Sequence, residues 1–253
     1  MDDLFSIQDK VILVSGGSRG IGRAIAEACH EAGARVIVSS RNEASLKATG
    51  LPYEVCDVAD AAQIQRCVTS VVRQYGRVEV LFNSAGINFR HAAETFPDDK
   101  LDQILGINLR GSFLMARDCG RAMAGQKRGK IVNIASIHTH SSLAGAAPYG
   151  TTKGAIGAMT RALAVEWAAY NIQVNAIAPG IIRTDLNAAI FEDDAALNWA
   201  LARTPAGRLG TPRDLVGTAI FLASAASDFM TGQVLYVDGG FSAGTTWPAP
   251  PSR

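Results

Sequence analysis

Val11 to Gly22 reads VILVSGGSRGIG, and this stretch decides the fold. Val11 to Ser15 is an apolar run of strand length, and Ile21, Ile25 and Cys29 then recur at helical spacing. Between the two, Gly16, Gly20 and Gly22 let the backbone turn sharply and come close to a ligand, while the free N–H groups at a helix start favour a phosphate. The spacing is G-x-x-x-G-x-G rather than G-x-G-x-x-G, so the loop alone fits a plain tight connection as well as a dinucleotide site. Its place between a first strand and an amphipathic helix favours the dinucleotide site.

Working outward, Gly33 ends the first helix and Arg35 to Ser39 forms a second strand, completing a βαβ unit. In nucleotide-binding sheets an acidic residue at the end of this strand bonds the ribose hydroxyls, whereas a basic one accommodates a 2′-phosphate. Here the strand runs into Ser40 and Arg41, no carboxylate occurs until Glu43, and Arg19 offers a second cation. NADP(H) is therefore expected in preference to NAD; two solvated surface arginines are the competing reading.

Strand and helix continue to alternate. Asn42 to Thr49 is a short helix at most, Tyr53 to Asp57 a third strand, Ala61 to Tyr75 a helix, and Val78 to Phe82 a fourth strand leading into Asn83, Ser84, Ala85 and Gly86. That small-residue turn lets a flat ring or sugar pass close to the backbone, and Asp57 is placed either to bond an adenine amino group or to cap its loop. Pro97 to Ala124 reads as one long helix whose apolar side is interrupted by Asn108, an amide that requires partners or holds a water. Lys130 to Ser136 is a fifth strand, Ile172 to Ala178 a sixth, Pro212 to Ala223 a helix and Val234 to Asp238 a last strand. Residues 184–208 break the alternation and read as a lid of short helices carrying Leu186, Ile190, Phe191, Leu197 and Trp199, and the tail 246–253 is expected to be loosely ordered.

Composition narrows the function. With 253 residues, 48% of them hydrophobic, the chain supports one domain, and no repeat or linker divides it. Lys and Arg number 24 against 23 Asp and Glu, so no overall field draws in nucleic acid or an anionic membrane. Cys29, Cys56, Cys67 and Cys119 show neither a C-x-x-C pair nor metal-ligand spacing, which points to reduced thiols and no metal. The acidic, polar start MDDLFSIQDK does not read as a secretory signal, and no stretch suits a membrane span. A cytoplasmic protein is expected.

The chemistry falls on Ser136 to Lys153, SIHTHSSLAGAAPYGTTK. Tyr149 and Lys153 are four apart at the start of a helical run, so they share a face. A phenol of pKa about 10 is a poor base at neutral pH, and a nearby ammonium would lower that value. Ser136, delivered to the carboxyl end of the sheet, would hold the oxygen that gains or loses the proton. A lone Y-x-x-x-K is more often a surface pair, and the surrounding motifs change those odds.

Those motifs, SGGSRGIG, NSAG, Asn108, Ser136, Tyr149 with Lys153, and Pro179, Gly180 and Thr184, resemble the short-chain dehydrogenase/reductase family in order, over about Lys10 to Gly240. The resemblance implies a single α/β Rossmann-type doubly wound domain spanning 1–253, with a seven-stranded parallel sheet, helices on both faces, and assembly as a homotetramer or homodimer. It implies hydride transfer between nicotinamide and a CH–OH or carbonyl carbon. Tyr149 becomes the proton donor and acceptor, Lys153 lowers its pKa and binds the nicotinamide ribose, Ser136 orients the substrate oxygen, and Asn108 holds a water linking Lys153 to solvent. The cofactor set becomes Gly16, Ser18, Arg19, Gly20, Ile21, Gly22, Ser40, Arg41, Asp57, Val58, Asn83, Ala85, Gly86, Tyr149, Lys153, Pro179, Gly180, Ile182 and Thr184. Serine at position 84 departs from the family's NNAG turn and bears on how tightly the cofactor is held. Small residues at Gly154, Ala158 and Ala162 suit a close helix contact between subunits.

For the substrate, Asn88, Arg90, His138 and His140 make the expected surroundings polar. AGINFR, TPAGRLGTPRDL and GQVLYVDGG are similar to sugar-acid members of the gluconate 5-dehydrogenase type, with Arg90, Ser136, His138 and Tyr149 as substrate residues and Arg90 a candidate for an anion. Solvated histidines, or an Arg90–Glu94 surface pair, remain open. So do a 3-oxoacyl thioester or small-ketone reductase and a non-catalytic NADP-binding protein.

Overall fold

In the computed structural model, residues 4–244 are described. The expected tail at 246–253 lies outside them, as does the side chain of Ile190. Seven strands form one parallel sheet in the order β3-β2-β1-β4-β5-β6-β7: β1 Val11–Ser15, β2 Arg35–Ser40, β3 Tyr53–Val55, β4 Val80–Asn83, β5 Gly129–Ile134, β6 Ile172–Pro179 and β7 Val234–Val237. Every residue of β1 is buried, because a parallel sheet is covered on both faces and reads as a continuous apolar run. Alternation along β1 divides its side chains: Val11 and Leu13 face the core beneath α3 (Ala61–Tyr75), α5 (Ser112–Gln126) and α6 (Ala147–Trp167), while Ile12 and Val14 face that of α1 (Gly20–Glu31) and α9 (Val216–Ala223).

The order reverses between β1 and β4, and the crevice beyond the carboxyl ends of these strands is where such sheets bind ligands. Strand ends differ from the sequence reading by at most two residues, and β5 stops at Ile134, so Ser136 sits two residues beyond the strand. The long helix expected over Pro97 to Ala124 is instead three pieces. Helix α4 (Asp98–Ile104) leads into a π-helical stretch, Leu105–Gly111, and then into α5. Gly111 lets this segment approach the loop after β3, since a Cβ there would lie 2.7 Å from the Val58 carbonyl oxygen. The widened turn carries Asn108, and π turns commonly mark functional sites. Residues 184–208 include the short helices α7 (Ala188–Glu192) and α8 (Asp194–Ala202), in keeping with the short helices expected there.

Candidate active site

One elongated cavity of about 480 Å³ runs over the carboxyl ends of the strands from Arg41 to Arg90. Its wall includes Ser136, Tyr149, Lys153 and every residue of the expected cofactor set except Asn83. Asn83 is instead buried beneath the turn, where its Nδ2 donates to the Ser112 carbonyl at 2.7 Å and to Asn133 Oδ1 at 3.3 Å. Strand alternation turns it inward and leaves Ser84, Ala85 and Gly86 on the wall.

At the glycine turn, Gly16 adopts φ +72°, and a Cβ there would lie 2.7 Å from Ala85 Cα. A Cβ on Gly22 would lie 2.4 Å from the Gly16 carbonyl oxygen. Helix α1 starts behind this turn with no side-chain cap and no acidic residue in its first turn, so its leading N–H groups are available to an anion. At the end of β2, Ser40 and the following Arg41 line the wall. The nearby Glu43 is committed elsewhere, pairing with Lys47 at 3.0 Å and accepting from the Tyr53 hydroxyl at 3.0 Å. Arg19 stands 4.0 Å from Asp185 of the lid approach. Asp57 keeps its place on the wall while Oδ1 accepts from Ala59 N–H at 3.0 Å, so it also caps its loop. These features fit a dinucleotide whose phosphates sit on α1 and whose adenosine end carries a further phosphate.

Near the middle of the cavity, α6 begins with Pro148 in its first turn, which presets the helix, and brings Tyr149 and Lys153 onto one face. Lys153 is buried, and its Nζ donates to the Ile134 carbonyl at 2.7 Å. Burial pushes its pKa down to about 8. The neighbouring phenol of Tyr149 shifts the other way. Burial raises the phenol above its ordinary value, and the opposing influence is a hydrogen bond with Ser136. The ammonium is turned toward Ile134 and stands 5.6 Å from the centroid of the tyrosine ring.

Asn108 lies one layer behind the wall. Its Oδ1 accepts from Ile87 N–H at 2.8 Å, and its Nδ2 donates to the Ile87 carbonyl at 2.8 Å and to Thr152 Oγ1 at 3.3 Å. Both amide donors are thus spent on protein. Thr152, not singled out in the sequence, links this clamp to the catalytic helix by donating to the Tyr149 carbonyl at 2.7 Å. Its only signal was its place beside Lys153 on the same helix turn.

At the far end, Arg90 lines the cavity and donates to the Ala144 carbonyl at 2.8 Å, with no pairing to Glu94 among the described residues. His138 packs edge-on against Tyr149, with ring centroids 5.2 Å apart and planes at 87°. Burial, then Arg90 and Lys153, push its pKa below the ordinary value. His140, expected beside the pocket, turns away and packs on Tyr236 with centroids 6.2 Å apart. A short 3₁₀ turn at Ile137–Thr139 separates the two directions.

The assembled geometry is a dinucleotide groove leading to a hydroxyl pair beside a buried ammonium, and comparison with known proteins bears on it. A family model described as "Enoyl-(Acyl carrier protein) reductase" matches residues 16–242. A 5-keto-D-gluconate 5-reductase of Escherichia coli is 36% identical over 252 residues, covering 95% of this chain and 98% of that protein. A gluconate 5-dehydrogenase of Gluconobacter oxydans is 37% identical, covering 95% and 97%. Among solved structures, a gluconate 5-dehydrogenase from Burkholderia cenocepacia in complex with NADP and tartrate superposes with a TM-score of 0.92 at 38% identity, covering 96% of this chain and 99% of that one. Near-complete matches of this kind, over a chain whose Tyr149, Lys153 and Ser136 meet at the mouth of a glycine-turn groove, show that the protein belongs to the short-chain dehydrogenase/reductase family.

Proposed function

We propose that the protein is an NADP(H)-dependent oxidoreductase that interconverts a secondary alcohol and a ketone on a sugar acid. The observation that carries this reading is the single cavity joining Arg41, the Ser136–Tyr149–Lys153 group and Arg90. Relatives that act on gluconate, 5-keto-D-gluconate or 2-dehydro-3-deoxy-D-gluconate, and a neighbour crystallised with NADP and tartrate, support the substrate class.

The bound cofactor would supply or accept the hydride at the reacting carbon. All other steps fall to the chain. Ser136 and Tyr149 present hydroxyls to one oxygen, so the charge that develops there during reduction meets preformed donors. Tyr149 gives up its proton to that oxygen, and the Lys153 ammonium stabilises the phenolate left behind. Lys153 is held by Ile134, and Asn108 ties Ile87 to Thr152, so the reacting groups keep their places. Arg41 would bond the 2′-phosphate and Thr184 the carboxamide, while Arg90 faces the substrate carboxylate. A hydroxyl pair beside an ammonium suits a carbonyl oxygen better than the carbon–carbon double bond named in the family description.

Assembly as a homotetramer belongs to the same proposal. Ala158 and Ala162 are exposed on α6 beside Phe113, which is 44% exposed, and Val165, which is 80% exposed. Among the described residues no helix is long and apolar enough to cross a membrane; a cytoplasmic location is part of the proposal. The test is a screen of sugar acids, polyols and simple alcohols for NADPH formation, with a 3-oxoacyl thioester run in the reducing direction. D-gluconate or a deoxy analogue is expected to lead. A lead by the thioester would overturn the substrate class.

A further inference from the structure

The turn that follows Ser136 lies on a flat track along the catalytic helix. Gly150, Lys153 and Gly157 fall on one stripe of α6, at helical spacing. The 3₁₀ turn Ile137–Thr139 rests on this stripe: a Cβ on Gly150 would lie 3.3 Å from His138 Nδ1, and one on Gly157 would lie 2.6 Å from the Thr139 methyl carbon. At Gly154, on the same helix, a Cβ would meet nothing within 4 Å. A glycine inside a helix weakens it relative to alanine, so the one at 157 answers to the close approach of the turn.

Thr139 fastens that turn to the helix. Its hydroxyl donates to the Lys153 carbonyl at 3.1 Å, which fixes the side chain and sets the methyl against Gly157. Its backbone N–H donates to the Ser136 carbonyl at 2.9 Å. Within the same turn Ser136 Oγ accepts from the His138 N–H at 3.2 Å. On the other side Ile137 is buried in a small apolar cluster with Ile181, Ala200 and Phe241. A shift of Thr139 is therefore passed to Ser136 through the backbone they share.

We propose that Thr139 is a positioning residue and Gly157 the seat that admits it: together they set the spacing between Ser136 and the Tyr149–Lys153 face of α6. The inference rests on the reading of Ser136 and Tyr149 as the reacting hydroxyls and holds whatever the substrate class.

The size of the effect follows from the contact. Carbon atoms rest about 3.5–4.0 Å apart, so a Cβ at position 157 must displace the Thr139 methyl by about 1 Å. The side chain can yield by rotating, which breaks its bond to Lys153, or by moving with the turn, which carries Ser136 away from Tyr149. A misplacement of about 1 Å can cost about 100-fold in rate. Thr139→Ser keeps the hydroxyl and deletes the methyl. The next neighbours of an alanine Cβ at 157 are then Arg161 Nη1 at 3.8 Å and Val234 Cγ2 at 3.9 Å, so the alanine fits.

The test is a double-mutant cycle on the single-turnover rate of ketone reduction, with NADPH bound in advance. The substrate is 5-keto-D-gluconate, or the ketone of whichever compound leads the screen. Gly157→Ala is expected to slow the rate by about 10- to 100-fold while NADPH affinity stays within about threefold. Adding Thr139→Ser is expected to bring the rate back to within about threefold of Thr139→Ser alone, a rescue that a general loss of stability would not show. Thr139→Val keeps a methyl and lacks the hydroxyl, and is expected to lose about 3- to 10-fold. Should Gly157→Ala fail to fold, Thr139→Val carries the test, and a rate within about twofold of the wild type would overturn the inference. With Gly157→Ala folded, a rate within about threefold of the wild type, or a loss that Thr139→Ser does not relieve, would overturn the inference alone. A wild type that turns over no compound of the screen would overturn the oxidoreductase reading along with it.

Discussion

Replacing Asn108 by Ala removes three hydrogen bonds at once and tests whether the π turn exists to clamp the wall of the site. The bonds lost are those to the N–H and carbonyl of Ile87, both 2.8 Å, and to Thr152 Oγ1 at 3.3 Å. Asn108 is 1% exposed, so its removal leaves the polar groups of Ile87 facing a protein interior. A buried group left unsatisfied costs about 1–3 kcal/mol, and two such groups, only partly shielded from water, give an expected loss of about 2–4 kcal/mol. A domain with about 5–15 kcal/mol of stability would still fold. Urea unfolding followed by circular dichroism, extrapolated linearly, measures the loss. Asn108→Asp should fall between the two, since it keeps the acceptor for Ile87 N–H and sets a carboxylate oxygen against the Ile87 carbonyl. The kcat/KM of the alanine variant should drop at least about tenfold, because Gly86 and Asn88, which flank the released Ile87, line the cavity. A stability change under about 0.5 kcal/mol would refute the clamp.

Arg41→Ala should weaken NADP binding by about 10- to 100-fold while NAD binding stays within about twofold; equal effects would show that Arg41 does not read the 2′-phosphate. Because Lys153 titrates near 8, its ammonium is present below that pH and lost above it, so kcat/KM for ketone reduction should hold to about pH 7 and fall about tenfold per unit well above pH 8. A profile flat to about pH 10 would remove the ammonium from the mechanism. The exposed stripe at Ala158 and Ala162 should make the protein oligomeric, so sedimentation should show a tetramer or dimer that Ala158→Arg dissociates. A wild-type monomer would contradict that.

Much of this was legible in the sequence because the sheet imposes period and order. VILVS could be read as a covered strand because parallel strands are apolar on both faces, and Ser136 could be placed because β5 delivers it to the end of the sheet. The place of Arg41 on the cavity wall was legible from its offset after β2. What escaped depended on geometry without period. One extra residue in a helical turn does not disturb an apolar pattern enough to show, so Leu105–Gly111 read as ordinary helix. His138 and His140 share a residue type and a parity, yet the 3₁₀ turn sends one to Tyr149 and the other to Tyr236. Thr152 was invisible because a buried threonine on a helix has the same sequence signature whether it packs or relays a hydrogen bond.

The most direct test of the account is Tyr149→Phe, which deletes one oxygen and keeps the ring against His138. NADPH binding followed by fluorescence and single-turnover reduction of 5-keto-D-gluconate should be measured on the same preparation. With the proton donor gone, turnover should fall by at least about 100-fold while NADPH affinity stays within about threefold. Turnover within about tenfold of the wild type, with the cofactor bound normally, would contradict the assignment of Tyr149 as the acid.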